Sequence, residues 1–230
     1  MTDVLASSPP RTTRRPGRPA ASQTPCADGR SRLLEVAVTI FGQHGFDGAS
    51  LRTIAEGAGL DPAMVSHHFG SKARLWQAAL GAIVERQEEH APTLRAIIGG
   101  AEPLVARMHA AIDFFIGLAA QRREVFLFFS RELHSPGWRL DALNTSLAEP
   151  FYRICEPLWQ EAIDAGIVQS QHPAVFHTLV LGAICITLDS SPTITHLAGQ
   201  EIDRPAITRA LRAILQGHFP ATPDASGSAI

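Results

Sequence analysis

Residues 50–72 read Ser50-Leu51-Arg52-Thr53-Ile54-Ala55-Glu56-Gly57-Ala58-Gly59-Leu60-Asp61-Pro62-Ala63-Met64-Val65-Ser66-His67-His68-Phe69-Gly70-Ser71-Lys72. Ser50 carries the hydroxyl of a helix N-cap, and Leu51, Ile54, Ala55 and Ala58 then share one face, so the spacing predicts a short helix. Gly59 permits the positive φ of a tight turn. Asp61 caps a second short helix, Pro62 suits its first position, and Val65 and Phe69, four apart, both pack beneath it. Gly70 ends it and Ser71 caps a further helix that opens at Lys72. Upstream, Arg30 to His44 places Leu33, Leu34, Ala37, Ile40 and Phe41 on one face of an amphipathic helix that stops at Gly45.

Two short helices joined by a glycine turn and backed by an amphipathic first helix form the helix-turn-helix arrangement that enters a DNA major groove. The third helix is then the reader. Its outward Ala63 and Met64 suit thymine methyls, and Ser66 and His67 suit base edges or phosphates. Arg52 reaches guanine, and Thr53 and Pro62 border the same surface. His68 is expected to pack or bond within the fold. A generic three-helix bundle with a surface lysine is the bland alternative.

From Gly45-Phe46 through Ser50 to Leu60, and again over Val65-Ser66-His67-His68-Phe69-Gly70-Ser71-Lys72 and Leu75, the chain resembles the TetR family of regulators. The resemblance covers about residues 30 to 76, with the spacing kept without a gap. It implies that Lys72, at a helix N-terminus, contacts a DNA phosphate together with Ser50. Where family members often carry a tyrosine or another aromatic, this chain has Ser66 and His67, of which His67 offers a comparable hydrogen bond. The resemblance further implies a homodimer formed through the last two long helices, a palindromic double-stranded operator, and a small-molecule effector whose binding tilts the fourth helix. Repression is the default that the resemblance suggests.

Outward from this motif, the composition is that of a soluble globular chain: 230 residues, 45% hydrophobic, formal net charge −2. The charge is uneven. Residues 1–76 hold nine Lys+Arg against six Asp+Glu, and residues 77–230 eleven against sixteen, so the N-terminal part is the candidate for touching phosphate. Residues 1–27 are rich in Pro, Ser, Thr and Arg and are expected to be a disordered basic arm. Within them, Arg14-Arg15-Pro16-Gly17-Arg18-Pro19 is close to the Arg-Gly-Arg-Pro core of minor-groove arms, with Pro16 in place of the first arginine. A minor-groove contact and a solvated linker both remain open there.

The expected organisation is all-α with about nine helices: arm 1–27, DNA-binding domain 28–76, helical ligand-binding and dimerisation domain 77–219, and a disordered tail 220–230. Pro92, Gly99-Gly100, Ser135 to Gly137, Gly166 to Pro173, Ser190 to Pro192 and Asp203 to Pro205 read as breakers. Residues 175–184 are apolar nearly all round, which suits a helix buried against both its own domain and a partner, with Gly182 and Ala183 allowing close approach; an entirely internal helix is the alternative.

In the second domain Phe114, Phe115, Phe126, Phe129, Trp138, Trp159 and His177 are candidate walls of a small organic ligand's pocket, against the plainer reading of core packing. His109 and His134 are further candidate polar contacts. Cys26, Cys155 and Cys185 lack metal-ligand or disulfide spacing, no His/Glu pair has the i,i+4 spacing of a helix metal site with supporting ligands close by, and there is no phosphate loop or dinucleotide fingerprint, so neither a metal nor a cofactor is expected. No run approaches the length needed to cross a bilayer, and a cytoplasmic protein is expected. Two other functions compete: a small helical enzyme using Glu124, Glu132 or Asp189 with a histidine, and a nonspecific DNA-binding protein.

Overall fold

The computed structural model describes residues 25–133 and 135–219. The expected C-terminal tail and all but the last three residues of the expected arm lie outside them. The described chain is all-helical: α1 (Pro25–Gly48), α2 (Leu51–Ala58), α3 (Pro62–Phe69), α4 (Lys72–Glu88), α5 (Ala91–Ile98), α6 (Leu104–Gln121), α7 (Arg123–Glu132), α8 (Trp138–Leu143), α9 (Glu149–Asp164), α10 (Pro173–Asp189), α11 (Ser191–Ala198) and α12 (Arg204–Gly217). A π-helical turn, Asn144–Ala148, joins α8 to α9. Its bond from Glu149 N–H to Asn144 O falls just ahead of Pro150, which has no N–H to continue the α-helical pattern.

The helix count among the described residues therefore exceeds nine. Pro92 and Pro192, read as breakers, instead lie in the first turns of α5 and α11. A helix leaves its first N–H groups unpaired, so a proline there costs nothing. Gly45, at φ 71°, breaks the helical path of α1 where the sequence placed its end.

Two apolar cores organise the molecule. The first gathers Leu33, Leu34, Ala37, Val38 and Phe41 of α1, Ile54 and Ala55 of α2, Val65 and Phe69 of α3, and Leu75, Trp76 and Leu80 of α4. It is completed by Val125 and Phe128 of α7 and by Leu143 and Leu147. The helix-turn-helix thus shares its core with α7 and α8. Gly42 makes this approach possible: a Cβ there would lie 3.0 Å from Glu124 O and 3.1 Å from Phe128 N. Arg131 of α7 then donates to Gly42 O at 3.3 Å and Gln43 O at 3.0 Å, satisfying carbonyls at the end of α1.

The second core packs α5, α6, α9, α10 and α12 around Met108, Ile112, Ile116, Leu158, Trp159, Val180 and Ile184. Contrary to the sequence reading, α6 is long and apolar enough to cross a membrane by length and composition. It lies instead at the centre of this core, with seven of its residues buried against neighbouring helices.

Candidate nucleic-acid interface

The turn between α2 and α3 is built from local bonds. Ser50 Oγ accepts from Thr53 N–H at 3.0 Å and lies 2.7 Å from Thr53 Oγ1. At the other end of α2, Gly59 adopts φ 67°, and Gly59 N–H and Leu60 N–H donate to Glu56 O and Ala55 O. That pair of bonds is a Schellman closure, and Gly59 meets its left-handed φ without steric cost. Asp61 Oδ1 accepts from Ala63 N–H at 2.7 Å and starts α3. With Val65 and Phe69 buried, α3 turns Pro62, Ala63, Met64, Ser66 and His67 to the surface. His68 is exposed as well, contrary to its expected internal role, and borders a small hollow with Gly29, Arg30 and Leu33 of α1.

Arg52 is exposed on α2 and paired with Glu56 at 2.8 Å. Such an exposed i,i+4 pair is weak and readily exchanged for another anion. Lys72 sits differently from a pendant charge. Its Nζ donates to Ala49 O at 3.1 Å and Asp47 O at 3.4 Å and lies 4.6 Å from the Phe46 ring centroid. It straps the start of α4 to the α1–α2 turn, beside Ser50. Arg139 of α8 covers the same ring at 4.4 Å and pairs with Glu132, only 3% exposed as a residue, at 2.8 Å. Residues 28–76 hold five Lys+Arg against five Asp+Glu, so the excess basic charge of the N-terminal part belongs to residues 1–27, with four against one.

This two-helix geometry coincides with a family match. Residues 33–79 match the model of the bacterial regulatory proteins, tetR family. Over those residues the helix-turn-helix is of the TetR type. It is 54% identical over 48 residues to the HTH-type transcriptional regulatory protein RaaS of Mycobacterium tuberculosis, covering 21% of this chain and 22% of that one. It is 30% identical over 121 residues to the HTH-type transcriptional regulator BetI of Paraburkholderia phymatum, covering 50% and 61%. The matches thus span less than two thirds of these relatives. Among solved structures, AibR in complex with isovaleryl coenzyme A and operator DNA superposes with a TM-score of 0.62 at 17% identity, over 81% of this chain and 97% of that one. That likeness extends the shared fold through the second core.

The seven candidate ligand residues divide between the cores. Phe129 packs on the first core. Trp138 is 43% exposed, with its ring 5.3 Å from Trp76 and 6.1 Å from Phe46. Phe114, Phe115, Phe126, Trp159 and His177 belong to the second. There Trp159 Nε1 donates to His177 Nδ1 at 3.1 Å, and the Phe115 and Tyr152 rings flank the imidazole at 5.8 and 5.6 Å. His109 Nε2 lies 2.8 Å from Phe219 O and 3.1 Å from Gln216 O, tying α6 to the end of α12. His134 lies outside the described residues. Glu124, Glu132 and Asp189 are each paired with an arginine: Arg122, Arg139 and Arg123.

Burial pushes His177 down to about 4 from its ordinary value near 6.5. Between those values the unfolded chain binds a proton that the fold refuses. Stability is therefore complete above about pH 6.5 and falls as the pH drops toward 4, by about 3 kcal/mol. His177→Asn keeps an acceptor for Trp159 and removes the titration. Urea midpoints at pH 7 and pH 4.5 should accordingly lie closer together in the variant; an unchanged gap would place the pH dependence elsewhere.

Proposed function

We propose that this chain is a sequence-specific DNA-binding transcriptional regulator, a repressor that a small organic ligand releases from its operator. The observation that carries this reading is the α2–turn–α3 unit, whose buried Val65 and Phe69 leave a continuous outer face of Ala63, Met64, Ser66 and His67. In this division of labour residues 28–76 read DNA and residues 77–219 bind the effector and the second subunit. A repressor working on the chromosome acts in the cytoplasm.

Dimerisation is supported by apolar side chains left uncovered on the last two long helices. Val175, Leu179 and Ile186 of α10 and Ile214 of α12 are all exposed. Against the same elements of a second copy they form a two-fold interface, which sets two recognition helices on half-sites about 34–36 Å apart. An effector that binds the off-DNA spacing more tightly lowers operator affinity.

The test is selection of bound duplexes from a random pool, with competition by nonspecific DNA at fixed salt. Recovery of a palindrome with half-sites about one turn apart supports the reading; no enriched sequence would overturn it. On the recovered site, Arg52→Ala should relax the preference at one base pair, by about 1–3 kcal/mol. Lys72→Ala should weaken binding to all sequences and flatten its salt dependence. It should also cost about 1–2 kcal/mol of stability, through the two carbonyls and the Phe46 ring that its ammonium holds. Equal effects of the two variants on every sequence would remove the assigned roles.

A further inference from the structure

At one end of the second core, the C-terminal ends of α6 and α10 meet the N-terminal ends of α7 and α12 around a cavity of about 90 Å³. Ala119, Phe126, Leu127 and Leu188 give it apolar walls, and Arg123, Asp189 and Arg204 line it too. The charges are placed against their helices. Arg123 and Arg204 are the first residues of α7 and α12, and Asp189 is the last of α10. A helix favours anions at its N-terminus and cations at its C-terminus, so all three sit at the wrong pole.

Arg204 is also poorly satisfied. Its two terminal nitrogens make only long bonds, to Leu188 O at 3.5 Å and Ala119 O at 3.4 Å. Its Nε is fully buried and has no partner. Buried donors are ordinarily paired, and a guanidinium offers a fork that matches a carboxylate. Arg123 meanwhile holds the Asp189 carboxylate, a partner from the adjoining end of α10. Misplaced cations, an orphaned buried donor and apolar walls around one cavity describe a receptor for an anion with an apolar body.

We propose that this cavity binds a short-chain organic carboxylate, received by Arg204 and by Arg123 in place of the Asp189 side chain. The size follows from the volume: about 150 Å³ accommodates benzene, so about 90 Å³ holds a chain of roughly three to five carbons. The proposal deepens the reading of the second domain as ligand-sensing and rests on it.

Isothermal titration of the full chain with sodium butyrate, butyramide and inorganic phosphate, at constant ionic strength, tests it. Butyrate should bind saturably at one site per protomer, with butyramide and phosphate each at least about tenfold weaker, since the first lacks the charge and the second the apolar body. Arg123→Gln should weaken butyrate binding about tenfold or more. Asp189→Asn should strengthen it several-fold, because the competing carboxylate is gone. That gain is a readout that loss of folding cannot produce. No saturable butyrate binding, equal binding of the amide or phosphate, or unchanged affinity in Asp189→Asn would each overturn the proposal. Operator release is measured separately in the same titration series. Butyrate binding without release upholds the site and removes its regulatory role, whereas release by other molecules without butyrate binding leaves the regulator and removes the site.

Discussion

Trp76→Ala is expected to lower the unfolding free energy by about 3–5 kcal/mol, the cost of emptying a large aromatic site in a packed core. Trp76 is fully buried, stacks on Phe128 with ring centroids 5.2 Å apart, and meets the Trp138 ring at 5.3 Å. It lies on α4 where the helix-turn-helix joins α7 and α8, so the cavity would open between the helix-turn-helix and those two helices. Its Nε1 is buried without a partner. Trp76→Phe keeps most of the ring packing and removes that unpaired donor, whose burial costs about 1–3 kcal/mol. The two effects oppose, and Trp76→Phe should stay within about 1.5 kcal/mol of the parent. Urea unfolding of both variants checks this. An alanine variant losing less than about 1 kcal/mol would mean that the joint between the helix-turn-helix and α7 and α8 is not held by this ring.

Leu179→Asp should convert the proposed dimer to monomers while leaving the helical circular dichroism unchanged. Leu179 is 59% exposed in the protomer, so a carboxylate there stays solvated in the free chain and costs the fold little. Across a two-fold axis the same substitution buries two like charges, one from each copy, in an apolar interface. Operator affinity should fall about 100-fold or more, because two half-sites then act without a link between their readers. Sedimentation gives the mass and a titration of the selected duplex gives the affinity. A dimeric variant that binds DNA normally would move the interface off this face of α10.

The elements of the helix-turn-helix were legible in the sequence because they are set by contacts within a few residues. Ser50, Asp61 and Ser71 cap helices through bonds to N–H groups two or three positions on. Gly59 turns the chain by its own left-handed φ, and Val65 and Phe69 pack beneath α3 by helical period. Periodicity says that a residue is covered and leaves open by what. Phe114 to Trp159 therefore read as one apolar set, although Phe129 and Trp138 pack with the helix-turn-helix and the others with the second core. The prolines misled for a related reason: a residue without an N–H ends one helix or begins the next, and Pro92 and Pro192 begin theirs.

By itself, then, the sequence determined the all-helical class, the capped α2–turn–α3 unit and its outward face, since caps, turns and helical faces are properties of neighbours along the chain. Only the tertiary structure decided that Lys72 straps α4 to carbonyls more than twenty residues upstream, that α7 closes on Gly42, and that Arg123, Asp189 and Arg204 line one cavity. Those pairings depend on how separate helices cross, which is set by the fit of whole packed surfaces and leaves no local mark on the chain.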